Sequence, residues 1–288
     1  MKSFSSFHPF SLFCFYLSVI GIAMFSSNPC ILGLALIGAM LSTIFSKSRK
    51  SLKAFFGYLF FFLAVSLVNP LVSHEGQTPL FFVNGNAFTL EAVIYGVKNG
   101  LMLVAVLFWF RTLNEHLDTD KQLYLFGKAL PKTSLILSSV LRFVPLIKRQ
   151  AVKVSETQKA MGLYADEGLK SALRSTSVSV SWALESSIET ADTMRSRGYG
   201  LKGRTRYSNY RFRLRDGILC AVSLSVAVTV ILAHVFGALT TSFYPAFVLP
   251  KPSAMALITY ALYGTLASVP FINEAKEQLK WHYLKSKI

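Results

Sequence analysis

The chain has 288 residues, of which 52% are hydrophobic and only 15% charged, with a mean hydropathy of +0.46. A soluble globular domain carries roughly a quarter charged residues, so this balance excludes an ordinary water-soluble fold and points to a helical membrane protein. The formal net charge of +16 admits two explanations, a nucleic-acid surface or Lys and Arg retained at the cytoplasmic ends of membrane helices.

Lys2 followed by an apolar run has the outline of a signal peptide. No A-x-A-like site closes that run, and a second apolar run follows at once, so a retained first helix over about 10–25 is expected. Further spans are predicted at about 30–45, 54–72, 90–110, 218–239 and 254–271, measured against the ~20 apolar residues that a bilayer requires. Lys47, Arg49, Lys50 and Lys53 crowd the second connection, whereas residues 26–29 and 73–88 contain no Lys or Arg. The tail carries Lys276, Lys280, Lys285 and Lys287. Six spans with both termini in the cytoplasm satisfy each of these connections.

Residues 116–215 hold 18 of the 30 Lys and Arg and 8 of the 14 Asp and Glu, and this topology places them inside. The expected fold is therefore an all-α polytopic membrane protein: transmembrane helices 1–4 in 1–115, a cytoplasmic helical domain in 116–215, and transmembrane helices 5–6 in 216–288. The positive charge is explained by the inside loops, which disfavours nucleic acid as a partner. Cys14, Cys30 and Cys220 lie in or beside apolar runs and make neither a disulfide framework nor a metal site.

Within 116–215, Ile147, Ala151, Val154, Gln158 and Met161 recur at spacings of four and three, the mark of an amphipathic helix ending near Gly162. A second helix is predicted over 182–197, with Leu184, Ile188, Ala191 and Arg195 on one stripe, Glu185, Glu189 and Asp192 towards the polar side, and Gly198 as its stop. A third is predicted over 135–147. The stretch 199–215 carries Lys202, Arg204, Arg206, Arg211, Arg213 and Arg215 without an acid, interleaved with Tyr207, Tyr210 and Phe212. It leads into the fifth span, so anionic headgroups are its nearest counter-charge, each basic residue contributing about 1 kcal/mol.

Enzyme motifs are absent. His8, His74, His116, His234 and His282 are scattered, and no H-E-x-x-H, P-loop or G-x-S-x-G occurs. Lys98 and His234 are the strongly polar residues well inside predicted spans, with snorkelling or local pairing as the plain explanation. Gly96 and Gly100 form a G-x-x-x-G that lets another helix approach closely. The end of the second amphipathic helix, Glu189-Thr-Ala-Asp-Thr-Met-Arg-Ser-Arg-Gly-Tyr199, admits two readings: a basic last turn capped by glycine, or a docking site.

Several separated motifs now stand in order: Asn69-Pro-Leu-Val-Ser-His-Glu-Gly76, Thr78-Pro-Leu, Asn84-Gly-Asn86, Thr89-Leu-Glu-Ala92, Arg142-Phe-Val-Pro145, Ser196-Arg-Gly-Tyr199, Tyr244-Pro245 and a final apolar run ending at Pro270. Over nearly its whole length the chain resembles the transmembrane T component of energy-coupling-factor (ECF) transporters, importers of vitamins and transition-metal ions. The resemblance implies a scaffold with no catalysis and no cofactor of its own. It would join two cytoplasmic ABC-type ATPases, which bind ATP, to a small membrane substrate-binding subunit.

It also implies that two cytoplasmic coupling helices each end in an X-Arg-X motif whose arginine enters a groove on an ATPase. Ser196-Arg197-Gly198 matches the second motif. The first falls at Ala160-Met161-Gly162, where methionine stands in the arginine position. Met161 would fill such a groove by apolar burial, so unequal contacts with the two ATPases are expected. The alternative is a membrane-embedded enzyme of lipid or isoprenoid metabolism, for which His74, Glu75, Glu91 and Lys98 form the one assembled polar grouping. Thr89 and Glu91 are better explained as caps of the fourth helix. A stand-alone permease would show an internal repeat, and none is evident.

Overall fold

The computed structural model of the protein describes residues 4–45, 51–73, 76–83, 86–162, 168–201, 210–244, 247–248 and 253–286. Local chemistry starts the first helices. Helix α1 (Pro9–Phe25) has proline at its first turn, and the His8 Nδ1 accepts the Phe10 amide at 3.2 Å. Helix α2 (Pro29–Phe45) opens with the Asn28 carboxamide oxygen accepting the Cys30 amide at 3.0 Å. Both are common solutions for orphan N-terminal donors. Helix α3 (Ser51–Val72) follows, then a hairpin of β1 (Pro79–Val83) and β2 (Asn86–Thr89), then α4 (Leu90–His116) with Thr89 as its N-cap. The chain continues through α5 (Thr119–Ala129), α6 (Pro131–Ala160), α7 (Gly168–Ser196), α8 (Leu214–Val235) and α9 (Ala254–Lys285).

The chain divides into two compact units, one made of residues 1–121 and 210–288, the other of residues 122–209. In the first unit, α1 packs on α4 and α8, α2 on α4 and α9, and α3 on α4. Phe15, Tyr16 and Trp109 form its aromatic centre, with Phe4 set edge-on against Phe15 and Tyr16. The Trp109 indole N–H donates to the Ala35 carbonyl at 3.0 Å, so even this large apolar anchor has its polar atom satisfied. In the second unit, α6 and α7 pack together.

Three helices among the described residues are long and apolar enough to cross a membrane: α4, α8 and α9. Helices α1, α2 and the 56–72 part of α3 are apolar but shorter. Among the described residues the architecture is thus helical, with one short hairpin and an isolated bridge between Ser242 and Val248, as expected of a helical membrane protein. The hairpin itself departs from the all-α expectation. Residues Phe81, Phe82 and Val83 pair antiparallel with Phe88, Ala87 and Asn86, and this run of β-prone residues lies between two turn signals.

Other differences have physical causes. The helices expected at 135–147 and 147–161 are one helix, α6, because Pro145 interrupts a hydrogen bond without ending the helix. Helix α7 begins at Gly168, well before 182, and its first half meets α6 through the Ser175 hydroxyl, which donates to Gln158. Helix α9 likewise continues through Pro270 to Lys285. Cys14 and Cys220, which looked scattered, meet side chain to side chain as free thiols. Lys47, Arg49, Lys50 and Lys287 lie outside the described residues.

The G-x-x-x-G acts within the chain. A Cβ on Gly96 would collide with the Ser66 carbonyl, and one on Gly100 would sit 2.5 Å from the Ser66 hydroxyl. Asn69 adds a hydrogen bond to the Ala92 carbonyl at 3.0 Å. The small residues therefore serve the α3–α4 contact. Gly96→Ala is expected to lower the unfolding midpoint of the detergent-solubilised protein, by about 1–3 kcal/mol of overpacking. Gly57→Ala, whose Cβ would meet nothing within 4 Å, is expected to leave the midpoint unchanged or raise it, as followed by thermal circular dichroism.

Candidate docking site at two helix tips

A stripe of small residues on α7 faces α6. Ser175, Ser179, Ala183 and Ser187 recur every four positions and so share one face of α7. The Ser175 hydroxyl donates to the Gln158 carboxamide at 2.7 Å, and Gln158 is buried. Farther along, Phe143, Ile147 and Ala151 of α6 and Ser179, Ala183 and Ser187 of α7 line an open cavity of about 470 Å³. The late part of α6 meets the early part of α7, and its middle meets the later part of α7. The two helices run antiparallel.

This direction decides where the two candidate motifs lie. Ala160 ends α6, Met161 is its C-cap, and Gly162 follows with φ of +72°. Ser196 ends α7, Arg197 follows, and Gly198 has φ of +81°. Both ends therefore close alike, with one side chain at the cap and a glycine in the left-handed region. At the second tip the Gly198 amide donates to the Arg195 carbonyl at 2.9 Å and the Tyr199 amide to the Met194 carbonyl at 3.0 Å. That is the double closure of a Schellman motif. At the first, the Gly162 amide donates to the Lys159 carbonyl at 3.1 Å.

Met161 is 68% exposed, and Arg197 is exposed too. Among the described residues no carboxylate lies within ion-pair distance of Arg197. Because the helices are antiparallel, the tips stand at opposite ends of the pair. From Ser175, beside the first tip, to Arg197 is 22 positions along α7, on the order of 30 Å at the helical rise. Among the described residues, the arrangement offers an exposed apolar side chain at one end and a cation at the other.

The basic stretch is partly accounted for. Lys202, Arg204, Arg206 and Tyr207 lie outside the described residues. The Tyr210 and Phe212 rings stand edge-on to His8, at 6.4 and 5.2 Å, and Arg215 lies over the Phe7 ring at 5.1 Å. Buried Asp216 accepts the His8 amide at 3.0 Å and the Arg213 amide at 2.9 Å, fastening the start of α8 to the start of α1. This end of the stretch is therefore built into the fold.

Of the polar grouping considered for an enzyme, Glu91 and Lys98 are among the described residues. His74 and Glu75 lie outside the described residues. Glu91 accepts the Thr78 hydroxyl at 2.8 Å, and the Thr89 hydroxyl accepts the Ala92 amide at 3.4 Å, so both work at the start of α4. Lys98 donates to the Asn99 carboxamide at 3.1 Å and lies against the Tyr95 and Phe243 rings. Among the described residues, no group of three or more His, Cys, Asp or Glu is placed to hold a metal ion.

Sequence inspection missed one cluster. The His116 ring, at the end of α4, contacts the Glu274 carboxylate at 2.9 Å through Nε2 and the Tyr16 hydroxyl at 2.8 Å through Nδ1. Lys121 donates to the backbone carbonyls of His116 at 2.5 Å and Ser5 at 2.6 Å. Burial pulls the Lys121 ammonium below the usual lysine range, and the nearby Asp118 charge opposes that. These bonds join α1, α4 and α9 where α4 leads into the 122–209 unit. The 158-residue separation of His116 and Glu274 left no local signal.

His116→Ala would leave the half-buried Glu274 without this partner, and a lost buried hydrogen bond of this kind costs about 1–3 kcal/mol. A lower thermal midpoint is expected, and an unchanged midpoint would show the cluster to be incidental. Gly198→Ala is expected to cost about 1 kcal/mol in the last turn of α7, read as faster hydrogen exchange at the Gly198 and Tyr199 amides. No protein-family model and no curated protein matches this chain.

Proposed function

We propose that the chain is the transmembrane scaffold subunit of an ATP-driven, ECF-type importer of a vitamin or transition-metal ion. In this reading it has six spans and cytoplasmic termini, and its 122–209 unit lies in the cytoplasm. It couples two ABC-type ATPases to a membrane substrate-binding subunit and is not itself an enzyme. ATP is bound by the partners, and this chain carries no cofactor.

The observation that carries the proposal is the pair of matched helix tips. Two long antiparallel helices, neither apolar enough to cross a membrane, present exposed Met161 and Arg197 at opposite ends with the same capping geometry. Two contact points that far apart suit a pair of partner subunits better than a single one. Arginine and methionine are both enriched at protein interfaces, and an arginine entering an acidic groove is a common anchor. A methionine at the other tip fits an apolar socket, so the two contacts are unequal.

Six spans are supported by how the helices lie. A helix of 17 residues rises about 25 Å, close to the ~30 Å hydrocarbon thickness. Helices α1, α2 and α3 each pack along α4, itself long enough to span. The apolar cavity between α6 and α7, with Val180 and Leu184 exposed beside it, leaves surface for a further subunit. When ATP closes the two ATPases, the tips move with them and the helix pair passes that motion to the membrane helices.

Arg197→Glu is expected to abolish co-purification of the ATPases while the chain still inserts into membranes. Met161→Asp is expected to weaken it less, because only a burial contact is replaced. Undiminished recovery of both ATPases with Arg197→Glu would remove the docking assignment.

A further inference from the structure

We infer that the β1–β2 hairpin lies in the headgroup zone of the bilayer and holds the Leu80 and Phe82 side chains in the lipid. The inference rests on the membrane reading above, but on neither the partners nor the transport role. A two-stranded hairpin is marginally stable in water by itself, and natural proteins blunt exposed strand edges with charge. This one does the reverse. From Gly76 to Leu90 the sequence has no Asp, Glu, Lys, Arg or His. Leu80, at the register irregularity between Pro79 and Phe81, is 55% exposed, and Phe82 is 70% exposed.

Exposed apolar residues also flank the hairpin: Leu71 and Val72 at the end of α3, and Leu90 where α4 starts. Both flanking helices are apolar, so the same medium that bathes them meets the hairpin between them.

Depth is bounded by the backbone. Each hairpin strand leaves one edge of amide and carbonyl groups unpaired, and such groups cannot enter hydrocarbon without water or a partner. The strands must therefore stay where water reaches them while the side chains dip about 5–10 Å, as interfacial apolar faces do. The foot of the hairpin is fixed for this. Thr78 donates to Glu91 through its hydroxyl at 2.8 Å, and the Leu90 amide donates to the Thr78 carbonyl at 3.1 Å. Gly76, with φ of +144°, has no room for a side chain, since a Cβ would sit 2.6 Å from the Glu91 carboxylate.

The test uses nitroxide labels on Leu80→Cys and Phe82→Cys in a full-length chain whose three native cysteines are replaced by serine. The chain is reconstituted alone into phosphatidylcholine–phosphatidylglycerol vesicles. Met161→Cys serves as the water reference and Leu262→Cys, exposed on α9, as the lipid reference. The ratio of oxygen to nickel-chelate accessibility at positions 80 and 82 is expected to shift from the Met161 value towards the Leu262 value without reaching it. A ratio equal to that at Met161 would overturn the inference. So would low accessibility to both reagents, which marks burial against protein, whether a second copy or a partner. If a cysteine variant fails to reconstitute, Phe82→Trp with acyl-brominated lipid reports the same depth: quenching beyond that of the native tryptophans supports the inference, and no added quenching overturns it.

Discussion

Hydrogen-bond satisfaction is the constraint on which both units are built, and they meet it in opposite ways. A polar group withdrawn from water costs several kcal/mol unless a partner is supplied. The larger unit supplies partners from its own distant segments. Trp109 donates to Ala35, Asn69 to Ala92, and the Asn28 amide to Tyr260 at 2.8 Å. Asp216 closes the starts of two helices at once. His116 draws on Tyr16 and Glu274. Each bond links segments far apart in sequence, so satisfying the polar atoms also fixes the order in which helices pack.

The unit of residues 122–209 closes its backbone by glycine and leaves side chains outward. At Gly198 the last carbonyls of α7 are consumed by two amides, so the helix ends cleanly and needs nothing from Arg197. The guanidinium is therefore left at the tip as a charge with no structural duty at its own helix end beyond favouring the negative end of the dipole. Met161 stands in the equivalent place at the far end of the antiparallel partner. The pair is joined where Ser175 meets Gln158 and opens farther along into a cavity of about 470 Å³. The chemical difference between its two exposed ends is what the proposed coupling role rests on.

Much of this was legible in the sequence. Apolar runs gave the positions of the six longest apolar helices, because lipid leaves no alternative to intra-segment hydrogen bonds. Glycine spacing gave both tips, since Gly162 and Gly198 occupy a backbone region other residues avoid. What escaped was non-local. The last apolar run looked finished at Pro270, and 135–147 and 147–161 looked like two helices, but each continues as one helix through its proline. The antiparallel sense of α6 and α7 follows from Gln158 meeting Ser175, a pairing without a sequence signature. The hairpin escaped because its strands have no polar alternation, and the His116 cluster because its partners come from opposite ends of the chain.

The surroundings of residue 197 in native membranes decide the matter most directly. A photo-crosslinking amino acid placed at position 197 of the full-length chain, irradiated in membranes and analysed by mass spectrometry, reports what the tip of α7 touches. Adducts concentrated on an ATP-binding protein, at a groove near its nucleotide site, are the result expected of a docking arginine. Adducts confined to lipid or to this chain itself, with the same label at 161 also finding no ATP-binding protein, would mean that the helix tips are not docking points and that the scaffold reading is wrong.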